Sequence, residues 1–497
     1  MHRHPFARLR RLLALTVLVA LPIGTVRAAD WTVFGHDTSR SGYAAGETML
    51  TPATVGRLHR RWTASFDDIA DSTPILLSHV RVGNKIRALL FQTTKHGTTY
   101  AVDAATGAAV WTYRTHPPLI TSHTPGGDKI TTSTPVADPN GRFIYVPSTN
   151  GLVHKLDAAT GKEVVAPGFP LRITLMPDVE KDASPLNLAN GYLYAATSGY
   201  IGDAGPYDGH VVALRLSDGQ THVFNSLCSN ITRLLLDPAY DGHTPASCAQ
   251  RESGVWSRGG VVVDPDPSMG GRIYVASGNG TFDANKGGHN YGDSVLALNA
   301  DGSRLLDYYT PSNYQALQDA DLDIGSTAPL MLPRERGSKT PLMAVQGGKD
   351  SVVDLVNRRH LGGVGGELQA LHVPDAVLFS APAVWQDAKT GTWVYLGTGE
   401  HVTALHLSTS ARGASRLSIA WTAQGQGTSP VVVDGMVVVA GSGALRVLDA
   451  RTGRPLWTST SSSAGGSIGG IHWESPIVVE GTVYVSDENM HLTAYAL

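Results

Sequence analysis

Ala101-Val-Asp-Ala-Ala-Thr-Gly107-Ala-Ala-Val-Trp111 is the stretch that decides the fold. An apolar run leads into an Asp, a Thr-Gly pair follows, and a Trp comes shortly after the glycine. The Asp carboxylate accepts hydrogen bonds from turn amides and the Gly supplies a positive φ, so two strands meet at a tight turn. The turn recurs as Leu156-Asp-Ala-Ala-Thr-Gly161 and as Val447-Leu-Asp-Ala-Arg-Thr-Gly453. Trp457 follows the last copy, and Val165 stands at the matching place after the second.

Working outward, a second alternating run precedes each turn. Examples are Arg142-Phe-Ile-Tyr-Val-Pro147, Gly191-Tyr-Leu-Tyr-Ala-Ala196, Arg272-Ile-Tyr-Val-Ala276 and Thr482-Val-Tyr-Val-Ser486. Before these runs lies an apolar strand opening on Ser/Thr-Pro, as at Ser72-Thr73-Pro74, Ser133-Thr134-Pro135, Thr428-Ser429-Pro430 and Glu474-Ser475-Pro476. Ser257-Arg258-Gly259-Gly260 takes the same place without a proline. One unit is therefore four antiparallel strands. Copies at 72–113, 133–165, 184–224, 257–309, 326–357, 380–421, 428–458 and 474–497 predict an all-β, eight-bladed propeller. The last copy stops after three strands, and Leu58-His-Arg-Arg-Trp62 resembles the missing fourth. Pairing the N-terminal strand with the last blade closes the ring and hides two edges. The tryptophans are expected to pack blade against blade.

Composition agrees. The 497 residues are 42% hydrophobic and 16% charged, with 55 Gly and 28 Pro. That supports a real core and excludes wholesale disorder. A formal charge of -3 argues against a nucleic-acid partner. Two cysteines exclude a disulfide-dense scaffold, a multi-Cys zinc domain and a CxxCH haem site.

Residues 1–28 read as a secretory signal: a basic start (Arg3, Arg8, Arg10, Arg11), a short apolar run from Leu12 to Ile23, and Val26-Arg27-Ala28 for cleavage. The run is too short to span a bilayer. Residues 29–497 are expected to form a single propeller, exported to the periplasm or secreted. Losing the signal's arginines takes the formal charge from -3 to -8. In an exported chain, Cys228 and Cys248 can pair across a loop, worth about 3 kcal/mol. The alternatives are two free thiols or, less simply, a metal pair.

The repeat Ala101-x-Asp103-x-x-Thr106-Gly107-x-x-x-Trp111 resembles the tryptophan-docking repeat of pyrroloquinoline quinone (PQQ) dehydrogenases. Trp31-Thr-Val-Phe-Gly35 and Leu50-Thr-Pro-Ala-Thr-Val-Gly56 resemble that family's N-terminus. More specific likenesses follow. Gly254-Val-Trp256 matches the Trp beneath the quinone, and Ser277-Gly-Asn279-Gly the turn whose Asn ligates the metal. Asp321-Leu-Asp323 resembles the Asp-x-Asp element, and Gly348-Lys349-Asp350 the cationic element that contacts the quinone.

The resemblance implies a PQQ- and metal-dependent oxidation of an alcohol or aldose, by hydride transfer to the quinone. Asp321 would be the catalytic base. Trp256, Lys349 and Ser198 would hold the cofactor. Asn279, Asp321 and Asp323 would hold Ca²⁺ or a lanthanide. The substrate would be a small alcohol, and an external acceptor would take the electrons. The chain departs from the family where its metal-binding Glu should follow Ser198-Gly199: Tyr200-Ile201 stand there, leaving Asp203 as the nearest carboxylate. The adjacent Cys pair over the quinone is also missing, and Ile130-Thr-Thr-Ser-Thr134 lacks the expected Arg.

Read without the resemblance, the same residues are a Gly-Asn turn, solvated loop acids, a surface lysine and a packing indole. The second function class is thus a non-catalytic exported propeller that binds a protein or glycan. An enzyme of other chemistry on this scaffold is a third.

Overall fold

The computed structural model describes residues 1–2, 30–115, 128–200, 205–236 and 248–497. Residues 3–28 of the expected signal, and Asp203, lie outside the described residues. Eight antiparallel sheets follow one another along the chain. Their first strands begin at Ile75, Val136, Glu180, Val262, Leu330, Ala383, Val431 and Ile477. The eight-bladed propeller expected from the repeats is the architecture found.

Closure is as expected. His59–Ser65 pairs antiparallel with His491–Ala496, with Trp62 opposite Ala494. The first strand thereby supplies the outer edge of the last blade and covers the ladder that His491–Ala496 would otherwise leave open.

Three of the blade junctions dock through the repeated turn, the indole of one outer strand lying on the turn glycine of the next blade. Trp111 donates from Nε1 to Ala158 O at 3.0 Å, and Trp421 to Ala450 O at 3.0 Å. Across the closure, Trp62 donates to Ala104 O at 3.1 Å. A Cβ on Gly161 would stand 2.5 Å from Trp111, one on Gly453 2.6 Å from Trp421, and one on Gly107 2.7 Å from Trp62. The glycine thus serves twice: it takes the positive φ of the turn and makes the seat for the ring. The apolar clusters also bridge neighbouring blades. One joins Ile75, Leu89 and Phe91 to Ile144 and Val146, and another joins Val438 and Val447 to Val485, Tyr495 and Leu90.

Two outer strands lie later than the repeat spacing indicates. The fourth strand of blade 2 is Leu171–Arg172, not the segment at Val165, which is 85% exposed. Glu163 makes only an isolated bridge to Leu156. Blade 5 ends on Gln369–His372 rather than near 357.

The segment 31–44 crosses one end of the ring. Its backbone meets the inner strands at Leu76, Ala137, Val263, Val384 and Val432. Buried Arg40 pins it, donating to the carbonyls of Phe34, Pro185, Leu186 and Gly259. The opposite end, where the Ser/Thr-Pro strands start, carries the cavities.

Candidate functional site

Trp256, Asn279, Asp321, Asp323, Lys349 and Ser198 converge on one cavity of about 220 Å³. They arrive from five separate segments. Ser198 lies in Tyr192–Gly199 of blade 3, where it pairs with Lys181. Trp256 stands just before the first strand of blade 4, and Asn279 just after Ile273–Ala276. The short helix Tyr314–Ala320 ends on Asp321, held at φ 53°, and Asp323 precedes the turn Ile324–Ser326. Lys349 follows Met343–Gln346 of blade 5.

Glycines allow this approach. A Cβ on Gly278 would lie 2.7 Å from Asp323 Oδ2 and 3.0 Å from Trp256 Nε1. Gly254 packs directly on Ser198, and Gly348 on the backbone of Ile324.

The polar geometry is compact. Lys349 Nζ lies 2.6 Å from Asp321 Oδ1 and 2.6 Å from Asp323 Oδ1. Trp256 Nε1 donates to Asp323 Oδ2 at 3.1 Å. One terminal atom of the Asn279 amide sits 3.3 Å from Asp321 Oδ1 and 3.1 Å from Asp323 Oδ1. With nitrogen there, the amide bridges both carboxylates. With oxygen there, three acceptors face one point and call for a cation. The ammonium of Lys349 already occupies that neighbourhood, 5.3 Å from the centroid of the Trp256 ring.

Burial separates the two carboxylates. The Asp323 side chain is 1% exposed and that of Asp321 67%. Burial raises the Asp323 carboxyl, against the charge of Lys349. Burial also opposes the Lys349 charge, but Asp323 and Asp321 outweigh it and lift the ammonium above its usual value. Asp293 belongs to the same electrostatic group. Burial, then the charge of Asp323, push its carboxyl up to about 8.

A larger cavity of about 570 Å³ shares Trp256, Lys181 and Trp473 with the first. Phe379 and Trp473 ring centroids lie 6.0 Å and 6.3 Å from that of Trp256. Arg258, read in the sequence only as a proline replacement, is buried below Trp473, its guanidinium 5.3 Å from the ring centroid. The Cys228–Cys248 disulfide is formed, with Cα atoms 5.9 Å apart. It packs with Leu227, Leu235 and Ile231 rather than over Trp256.

Residues 31–201 match a family profile described as the β-propeller domain of glucose, ethanol and alcohol dehydrogenases that use PQQ. Over that stretch the chain is similar to the PQQ-type β-propellers. Residues 380–497 match a second profile, that of the outer membrane protein assembly factor BamB. No curated protein sequence matches the chain. Among solved structures, the quinohemoprotein alcohol dehydrogenase of Pseudomonas putida is similar over 94% of this chain and 80% of its own, with TM-score 0.64 and 15% identity. A europium-containing methanol dehydrogenase matches over 94% of this propeller and 98% of its own chain, with TM-score 0.64 and 15% identity. BamB from Moraxella catarrhalis matches over 88% and 100%, with TM-score 0.51 and 11% identity. At these identities the chain shares its fold with both kinds of protein.

Proposed function

We propose that this propeller is an exported quinoprotein-type oxidoreductase that oxidises small alcohols or aldoses with PQQ and a hard cation, passing electrons to an external acceptor. The observation that carries the reading is the convergence of Trp256, Asn279, Asp321, Asp323 and Lys349 on one cavity. Those are the positions singled out by the family resemblance.

The residues fit both groups. Two carboxylates and an amide oxygen suit Ca²⁺ or a lanthanide, and the ammonium between the carboxylates marks where positive charge is stabilised. An indole face and two lysines, Lys181 and Lys349, suit a flat tricarboxylate. When bound, the quinone would supply the hydride acceptor and the cation would polarise its carbonyl.

The chain's own parts divide by exposure. Asp321, at the open side, is placed to take the hydroxyl proton of an incoming alcohol. Asp323 is buried and held by Trp256 and Lys349, which suits a fixed ligand and not a proton acceptor. Trp256 offers the stacking face, Ser198 lines the adjoining wall, and Lys349 would turn from the carboxylates toward the cofactor. Asp203 remains a candidate carboxylate for the metal.

A second reading rests on the larger cavity. Val377 and Phe379 at its wall are 41% and 40% exposed, and the BamB-type match covers this side of the ring. A non-catalytic propeller that docks a protein or glycan there would have the same fold. Dye reduction separates the two. Protein reconstituted with PQQ and Ca²⁺ should reduce an artificial acceptor when given a primary alcohol, and Asp321→Asn should abolish this while keeping the cofactor. Full activity in that variant would end the assignment of Asp321 as base, and absence of any alcohol or aldose activity would favour the binding reading.

A further inference from the structure

Where the last blade meets the first, a second set of ligand-type side chains comes together. Asp71 precedes the first strand of blade 1, His472 precedes the first strand of blade 8, and Glu488 follows the strand Thr482–Asp487. One donor atom from each lies within 4.8 Å of the others. His472 Nδ1 is 3.5 Å from Asp71 Oδ1 and 3.6 Å from Glu488 Oε1. Bonds of roughly 2.0–2.2 Å around a tetrahedral centre put neighbouring donors about 3.3–3.6 Å apart. Both measured separations fall on that edge length, and both are long for hydrogen bonds.

The second observation is an unpartnered buried carboxylate. Asp71 is 3% exposed, and its Oδ1, the atom facing the imidazole, accepts no hydrogen bond among the described residues. A buried acceptor left this way is costly unless something positive meets it. Beside it, fully buried Glu474 accepts the His472 backbone N–H at 2.7 Å through Oε2, while its Oε1 has no partner. Arg258 is the cation whose charge acts on Asp71 and Glu474. Lys95, which acts on Glu488, lies 3.0 Å from Asp128. Neither cation donates a hydrogen bond to Asp71 Oδ1, which stays open toward His472.

We propose that Asp71, His472 and Glu488 form a metal site, separate from the one at Asn279 and Asp321, that takes a divalent cation of the zinc class. An imidazole nitrogen with two carboxylate oxygens selects a borderline cation such as Zn²⁺ over Ca²⁺, which prefers oxygen alone. Three protein ligands leave a fourth position. It opens on the larger cavity, because His472 is half exposed and lines it. Glu474 holds the His472 backbone in place. The inference does not depend on the quinone reading, since none of its ligands belongs to that site.

The test uses chelator-treated full-length protein titrated with Zn²⁺ alone by calorimetry, with cation content checked by mass spectrometry. One equivalent should bind, and His472→Ala and Glu488→Gln should each weaken binding at least tenfold. Glu488 is partly exposed, so its variant keeps the proposal testable if Asp71→Asn fails to fold. Asp321→Asn should retain the zinc, and excess Ca²⁺ should not displace it. Absence of saturable binding, or unchanged binding in both His472→Ala and Glu488→Gln, would overturn the proposal. Loss of zinc in Asp321→Asn alone would assign it to the cavity at Asn279 and Asp321 instead.

Discussion

The Lys349 ammonium donates to Asp321 across 2.6 Å and lies 2.6 Å from Asp323 Oδ1. A hard cation held by these two carboxylates would compete with the lysine for the same oxygens. Lys349→Met should therefore raise affinity for Ca²⁺ or Tb³⁺ in quinone-free protein by about tenfold, which corresponds to about 1.4 kcal/mol. The same variant should bind PQQ more weakly. Tb³⁺ luminescence sensitised through Trp256 reads the first effect. Unchanged Tb³⁺ affinity would show that Lys349 does not guard the site.

Blade docking makes its own prediction. Gly161 has φ 69°, and a Cβ there would meet the ring of Trp111 at 2.5 Å. Gly161→Ala is expected to cost about 2–4 kcal/mol through backbone strain and displacement of the indole. Trp62→Ala should cost roughly 3 kcal/mol or more by opening the packing at the ring closure. Denaturant titration measures both. A loss under ~0.5 kcal/mol in either would mean that docking is not what holds the blades.

Stability should fall in mild acid because of His210. Its Nε2 contacts Ile173 O at 2.6 Å, and full burial pushes its pKa down to about 4. Unfolded, the imidazole titrates near its ordinary value of about 6.5. Between those two values the unfolded chain binds more protons than the folded one, so stability is present above pH of about 6.5 and is lost as the pH falls toward about 4. The full effect is about 3 kcal/mol. His210→Gln should flatten this part of the stability–pH curve. An unchanged slope would assign the acid sensitivity to other groups.

The sequence exposed most of the fold because the repeated turn is local: Gly107 and Gly161 carry it and Trp111 or Val165 follows shortly after, although each indole docks on the turn glycine of the next blade. It misplaced the outer strand of blade 2 because Val165 is apolar yet exposed, and the chain runs on to pair at Leu171. The core of the site was also legible, since Trp256, Asn279, Asp321, Asp323 and Lys349 sit in short motifs. Residues placed by pairing alone were not. Lys181, within Glu180-Lys-Asp182, reads as a surface charge run, and only its register with Ser198 brings it to the cavity. Asp71 and His472 are separated by almost the whole chain, and ring closure is what makes them neighbours.

Cofactor retention tests the central claim most directly. Protein incubated with PQQ and Ca²⁺, then dialysed exhaustively, should keep one equivalent of quinone absorbance and show quenched tryptophan fluorescence. Trp256→Ala and Asp323→Ala should lose both while remaining folded by circular dichroism. If the folded wild-type protein keeps no quinone, or if both variants keep as much as wild type, the cavity lined by Trp256, Asp321 and Lys349 is not a quinone site.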